Sequence, residues 1–439
     1  MAPSNGPGAV VIGAGLSGLA AARELQRQGY APEVLEACPE PGGLTRTTVV
    51  GGFCFDYTGH LLHLARHESP TSLPFAGQRD SDWQRVERRS YCYVGGTLVP
   101  APIQYHIGEL PTPLRDACIA SYEARSASPP PERSTFRDFV IRGFGQYLAD
   151  LFLIPQNEKT LAIPMDRLSQ DALRRFFPVP DDKRVRCGMI PGSVTPPEYN
   201  SRFWYPRYGG IDRLVGGLAR GVRRLRLSSE VTSLDLPARS LRTTTGRALA
   251  WDVLLSSMPL ARLCRITGDP DLMEMGARLT HSTTVCINLG LRGALEESMR
   301  DAHWIYVPDR SIPFYRVGAY SSISSGVCPP GCSSVYVEVG LSAEEADRPG
   351  IIADLETRAC DALNDLGWVR RDSIVCRVTQ SLRCAYVHLT PERDRMVPAI
   401  LERLAQHRVF PIGRYGNWDY TSMEDSIMSG IDTARKVAG

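Results

Sequence analysis

The sequence predicts an α/β fold: a Rossmann-like dinucleotide-binding domain with a helical insertion, joined to a substrate domain built on a mainly antiparallel β-sheet. Three observations predict it. The apolar run Ala9–Ile12 breaks into glycines at Gly13, Gly15 and Gly18 and continues into an alanine-rich helical pattern. Residues 106 to about 150 carry helical periodicity, interrupted by the serine- and proline-rich stretch 126–131. Short β-type runs at 283–289, 303–307 and 334–339 then recur at a spacing suited to an antiparallel sheet.

The N-terminal element is justified first. Strand, turn and helix follow in the order a dinucleotide site needs, with the glycines in G-x-G-x-x-G spacing. Gly13 permits the turn, Gly15 lets the backbone approach a pyrophosphate, and Gly18 lets helix and strand pack closely. Leu16 and Ser17 open the helix, whose N-terminal N–H groups favour an anion. A second strand, Glu33–Leu35, leads to Glu36, 23 positions after Gly13, where an acid can hold a ribose hydroxyl. After it come Gly42, Gly43, Leu44 and Arg46. This pair of motifs resembles the signature of FAD enzymes of the amine oxidase, protoporphyrinogen oxidase and UDP-galactopyranose mutase group. The resemblance implies FAD rather than NAD, in a Rossmann-like FAD-binding domain.

The segment 51–62 reads as an alternating strand ending at Gly59 and His60. It resembles the F-D-x-G-G-H segment of the mutase family, which places a histidine over the flavin. Thr58 stands where that family has glycine, and a β-branched residue there is expected to restrict the loop. A hairpin around Gly95–Gly96 and a proline-bounded exit to Gln104 follow. Residues 153–160 resemble the family segment P-x-N-x-K, with Asn157 either a nucleotide or flavin contact or an ordinary turn residue. In 200–214, aromatics, Arg202, Arg207 and a glycine pair precede a helix. One of these arginines is expected to grip a diphosphate, since guanidinium is permanently charged and forked. Val231, at the start of the next strand, is the residue such folds lay against adenine.

The strongest substrate signal is 312–317, Ile-Pro-Phe-Tyr-Arg-Val, which resembles the mutase motif P-F/Y-x-R. The resemblance implies that Arg316 binds the sugar-nucleotide diphosphate, with Tyr315 beside it. Tyr386 matches the family's Y-P segment with Val387 in place of proline. Residues 410–426 resemble the closing flavin motif. There Gly413, Arg414 and Met423 are expected at the flavin and Tyr420 at both flavin and diphosphate.

The resemblance to the UDP-galactopyranose mutase family spans nearly the whole chain. It implies interconversion of pyranose and furanose forms of a nucleoside-diphosphate sugar, in carbohydrate biosynthesis, through attack of reduced FAD N5 on the anomeric carbon. His60 and Arg316 would be catalytic. The substrate-binding set would be Asn157, Arg202, Arg207, Tyr315, Arg316, Tyr386 and Tyr420. Cofactor contacts would be Gly13, Gly15, Leu16, Ser17, Gly18, Glu36, Gly43, Leu44, Gly59, His60, Val231, Gly413, Arg414, Tyr420 and Met423. NAD(P)H or another reductant would reduce the flavin, and a homodimer is expected because family members are commonly oligomeric. The rival readings are an oxidase or dehydrogenase of the amine oxidase type and a flavin-binding scaffold without turnover.

The division expected along the chain is FAD-binding parts at 1–105, 206–250 and 386–439, a helical insertion at 106–152, and substrate-domain parts at 153–205 and 251–385. At 439 residues, 43% hydrophobic and 22% charged, the chain suits a globular protein of two or three domains. Fifty basic against 48 acidic residues leave +2, so no global field draws nucleic acid or an anionic membrane. No N-terminal segment has the charge flank and length of a signal peptide or a membrane span, which points to the cytoplasm. The 12 cysteines, without a C-x-x-C, read as free thiols in a reducing compartment, and no metal site is expected.

Overall fold

The computed structural model describes residues 8–125, 134–173, 177, 180–193 and 201–438. The proline-rich stretch at 126–131 lies outside them, as does Asn200. Five strands, all parallel, form the first sheet in spatial order Val409–Pro411, Val253–Ser256, Ala9–Ile12, Glu33–Leu35, Leu225–Arg226. Three distant chain segments therefore build one nucleotide-binding sheet. Its central strand is apolar at every position and wholly buried, as a parallel strand covered on both faces requires. The helices Leu16–Arg27 and Met423–Ala438 pack together on one face, with Leu19, Leu25, Ile427 and Ile431 fully buried between them. A small antiparallel sheet of Val231–Asp235, Ser240–Thr243 and Ala248–Ala250 covers the other end.

The second layer is a seven-stranded sheet dominated by three long strands: His281–Arg292, Cys332–Ser342 and Ile374–Val387. They pair antiparallel, and Arg316–Gly318 and Trp304–Tyr306 continue the sheet outward. At its edge the hairpin Ser90–Val94/Thr97–Pro100 joins through a parallel pairing with Trp304–Tyr306. That hairpin falls within the stretch 1–105 expected to bind FAD, yet its hydrogen bonds belong to the seven-stranded sheet. The alternating burial of Ser90–Val94 is equally compatible with either partner, and only the fold selects one. Likewise the helical run that includes Ile154–Leu161 continues without a break from Gln146, so helix crosses the expected boundary at 152.

Helices Thr112–Glu123, Phe136–Phe144, Ile154–Leu161 and Asp182–Gly188 form a helical layer over this sheet, around a core that includes Tyr122, Phe136, Phe144 and Met165. Thr135 caps Phe136–Phe144 by accepting from the Asp138 N–H, while Asp138 accepts from the Thr135 N–H. No helix among the described residues is long and apolar enough to cross a membrane.

Candidate active site

The glycine turn has the geometry its spacing requires. Gly13 sits at φ +95°, and a Cβ on Gly18 would lie 1.9 Å from the Gly13 carbonyl oxygen, so helix and turn meet with no room for a side chain. Gly15 and Gly43 face each other, a Cβ on Gly43 reaching within 3.5 Å of the Gly15 Cα. Two side chains there would fill a cradle that is otherwise open. The Glu36 carboxylate is buried and accepts from the Ala14 N–H at 2.6 Å and the Cys38 N–H at 2.9 Å. It is thereby fixed beside the turn, with lone pairs remaining for ribose hydroxyls. Val231 is buried in one cluster with Ile12 and Leu35. Leu16 and Ser17 are buried, and a Cβ on Gly413 would strike the Ser17 hydroxyl. These features fit a dinucleotide laid from Val231 across the glycine cradle towards Gly413.

Beyond that cradle lies a cavity of about 230 Å³ lined by Asn157, Tyr315, Arg316, Tyr386 and Tyr420. The fold thus gathers five of the seven expected substrate residues from four separate segments. Arg316 lies directly across from Glu338 on the neighbouring antiparallel strand. Its Nε donates to one carboxylate oxygen at 2.7 Å and a terminal nitrogen to the other at 2.8 Å. Burial opposes both charges, but each stabilises the other: Arg316 titrates well above its usual range and Glu338 below the usual carboxylate range. Glu338 also accepts from the Gly59 N–H at 3.0 Å, tying the histidine loop to the arginine strand.

Arg414 lies over the Tyr420 ring at 4.3 Å and the Tyr386 ring at 5.3 Å. Those two rings stack at 5.5 Å and 16°. Arg414 donates to the Ala385 carbonyl at 3.0 Å. Burial holds the Tyr315 and Tyr420 hydroxyls protonated far above neutrality. His60 is half-buried with its ring 3.2 Å from the Thr58 hydroxyl, and burial pulls its pKa down to about 4. It is a neutral imidazole near pH 7, within the fields of Glu338, Arg414 and Arg316.

Several expectations are corrected. Arg202 and Arg207 do not line the cavity. Arg202 is on the outward face of Arg202–Pro206, whose inward residues are Phe203 and Tyr205, and it pairs with Glu87 at 2.9 Å. Arg207 is exposed, and its backbone rather than its guanidinium is used, by Asp82 and Ser324. Arg88, on the approach to Ser90–Val94, is the second arginine at the cavity. Thr58 is not among the residues with positive φ; Gly59 is required for close approach, since a Cβ there would fall 2.3 Å from the Tyr336 hydroxyl. Asn157 is helical, not a turn residue, and its amide donates to the Leu153 carbonyl at 2.7 Å. Leu44 packs partly buried against the Phe203–Tyr336 cluster, and Met423 begins the last helix against the nucleotide-binding core.

Glu338 and Arg88 complete the lining or its support but carry no motif, while Gln104, at the proline-bounded exit, and Gln156, inside the segment 153–160, line the same cavity. A signal for Glu338 existed: it is the lone charge in the run Val335 to Val339, and a carboxylate inside an apolar strand requires a cation partner. Gln156 and Ser90 each present a buried oxygen, Oε1 and Oγ, with no hydrogen-bond partner among the described residues. Both sit at the cavity wall. Among the described residues no group of three or more His, Cys, Asp or Glu could hold a metal ion.

Residues 16–438 match the family model for flavin containing amine oxidoreductase. A crystal structure of reduced UDP-galactopyranose mutase superposes with a TM-score of 0.90 at 25% identity, over 98% of this chain and 95% of that one. A putative protoporphyrinogen oxidase from Exiguobacterium sp. 255-15 gives 0.75 at 16%, over 100% and 99%, a likeness of fold. Among curated proteins, the zeta-carotene-forming phytoene desaturase of Myxococcus xanthus is 28% identical over 82% of this chain and 77% of its own length. Protoporphyrinogen oxidase 2 of Arabidopsis thaliana is 26% identical over 40% of this chain, which spans 36% of that protein. The chain binds FAD, and it belongs to the flavin-containing amine oxidoreductase family.

Proposed function

We propose that the protein is a flavin-dependent mutase that interconverts the pyranose and furanose forms of a nucleoside-diphosphate sugar. The observation that carries this reading is the cavity in which Arg316, Tyr315, Tyr386 and Tyr420 converge, with Arg414 over the rings of the last two. An arginine and several tyrosine hydroxyls form an anion-binding wall for a diphosphate. The likeness to the mutase structure supports the same reading. FAD, reduced by NAD(P)H or another reductant, supplies a nucleophilic nitrogen for the anomeric carbon.

The protein's part is placement and charge. Arg316 and the hydroxyls of Tyr386 and Tyr420 hold the diphosphate as it leaves the sugar and keep it for return. Neutral His60 offers a hydrogen bond at the flavin edge without competing for negative charge. Arg414, set in its tyrosine frame, fixes both rings. The second reading, an oxidase or desaturase, is favoured by the curated relatives. The cavity argues against a long polyene, because Arg88, Gln104, Asn157 and Arg316 are among the groups that would be left facing hydrocarbon.

The test is to reduce the purified protein with dithionite, add UDP- and dTDP-linked pyranoses and furanoses, and follow interconversion by chromatography. Product formed only by the reduced protein supports the proposal. Equal activity in the oxidised protein, or peroxide release with amines and no isomerisation, sinks it.

A further inference from the structure

The arginine strand is preceded by a loop, residues 307–314, that contains Pro308 and Pro313; the Val307 N–H donates to the Tyr315 carbonyl at 2.9 Å across its base, and Asp309 accepts from the Ser311 N–H and hydroxyl at 2.8 and 2.7 Å. Within it the Ile312 N–H donates weakly to Asp309 at 3.3 Å. Its carbonyl groups turn inward instead and converge on a single atom. Lys159 Nζ, on the helix Ile154–Leu161, lies 2.8 Å from the Val307 carbonyl, 2.6 Å from Asp309, 3.0 Å from Ile312 and 2.7 Å from Phe314. An ammonium has three protons for these four acceptors, so one is shared and all are charge-assisted. The same helix fastens the next residue, since Gln156 Nε2 donates to the Tyr315 carbonyl at 3.0 Å. It is itself wedged on the sheet, where a Cβ on Gly340 would lie 2.1 Å from the Lys159 carbonyl.

We propose that Lys159 is the positioning residue for Arg316: by gathering the carbonyls of loop 307–314, it fixes where the diphosphate-binding guanidinium enters the cavity. The inference rests on the reading of Arg316 given above. Lysine suits the task because its three rotatable donors reach carbonyls arriving from several directions, as a planar guanidinium cannot. The helix presents Gln156, Asn157, Thr160 and Leu161 to the cavity, so the wall that contacts substrate also sets the arginine. The charged groups around Nζ are Asp309 and Arg310 on the loop and Glu158 on the helix, the last paired with Arg310. Burial pushes the Lys159 ammonium down to about 7, so its charge is present below that pH and is lost as pH rises through it.

The experiment is a double-mutant cycle read by UDP binding to the FAD-loaded protein, monitored through the flavin absorbance. Lys159→Met is expected to keep FAD and weaken UDP by about 30-fold, and Arg316→Ala by about 100-fold. In the Arg316→Ala background, Lys159→Met should change UDP affinity less than about twofold, because the group it positions is gone. Wild-type affinity should fall between about pH 7.5 and pH 8.5, where the terminal phosphate of UDP, with a second pKa of about 6, is nearly fully ionised and its uracil stays neutral, and Lys159→Arg should flatten that fall. Additive effects in the cycle, or UDP binding by Lys159→Met equal to wild type, overturn the proposal while leaving the role of Arg316 intact. No effect of Arg316→Ala overturns the reading of the site and this proposal with it. If Lys159→Met loses FAD, Lys159→Arg replaces it in the cycle; loss of FAD in both makes Lys159 a general folding residue and also overturns the proposal.

Discussion

Replacing Glu338 by Gln should lower stability and raise nucleotide affinity at once. The carboxylate is fully buried and Arg316 is 17% exposed, so the pair is screened less than a surface salt bridge. At about 4 Å and an effective dielectric of about 20, their attraction is worth about 4 kcal/mol. Gln keeps the shape and the acceptor for the Gly59 N–H, and the cavity lets water reach Arg316. The expected loss of folding stability is therefore smaller, about 2–3 kcal/mol. The nearer phosphate of a diphosphate seated on Arg316, counted as one charge about 6–7 Å from the same carboxylate, feels a repulsion of about 2–3 kcal/mol in the same dielectric. Removing it, less about 1 kcal/mol to reorder the freed arginine, should tighten UDP binding by about tenfold. The assay pairs thermal denaturation of the FAD-loaded variant with a flavin-absorbance titration by UDP at low and high salt. If UDP affinity falls along with stability, Glu338 acts by orienting Arg316 and the electrostatic reasoning is wrong.

Arg316→Ala should abolish turnover while the purified protein keeps its flavin; flavin loss would show that the arginine strand supports the cofactor instead. Arg202→Ala, which removes only an exposed pair with Glu87, should change kcat/KM by less than about twofold, and a tenfold loss in steady-state assays would restore the arginine to the site. Glu36→Ala leaves the Ala14 and Cys38 N–H groups without their acceptor and removes the proposed ribose partner, so flavin per chain after gel filtration should drop sharply, by about tenfold or more in affinity; full retention would mean the ribose is held elsewhere. His60 has a folded pKa depressed to about 4, which makes it neutral above that pH and charged only below it. Its imidazole ¹⁵N shifts should stay those of the neutral ring down to pH 5, and titration near pH 6.5 would show that burial does not dominate.

The parts of the site legible in the sequence are those written in local backbone geometry. Gly13 and Gly43 hold positive φ, Gly18 meets the Gly13 carbonyl with no room for a Cβ, and Gly15 keeps the cradle open, so their spacing along the chain is itself the signal. Arg316 and Tyr420 were legible through resemblance, as parts of short segments whose order could be matched. Arg202 misled because composition cannot say which face of a strand is inward. Phe203 and Tyr205 turn in, and the period of two sends the arginine out.

The sequence by itself determined a parallel nucleotide-binding strand, its glycine cradle, the acid at Glu36 and the family of flavoproteins to which they belong. Tertiary structure decided which charges meet. Glu338 faces Arg316 only because strands Arg316–Gly318 and Cys332–Ser342 pair in one register, and a shift of one residue would part them. Lys159 finds its four carbonyls about 150 residues away for the same reason. Contacts between distant segments depend on register and packing, which no local pattern encodes, whereas a glycine turn is specified by the residues that form it.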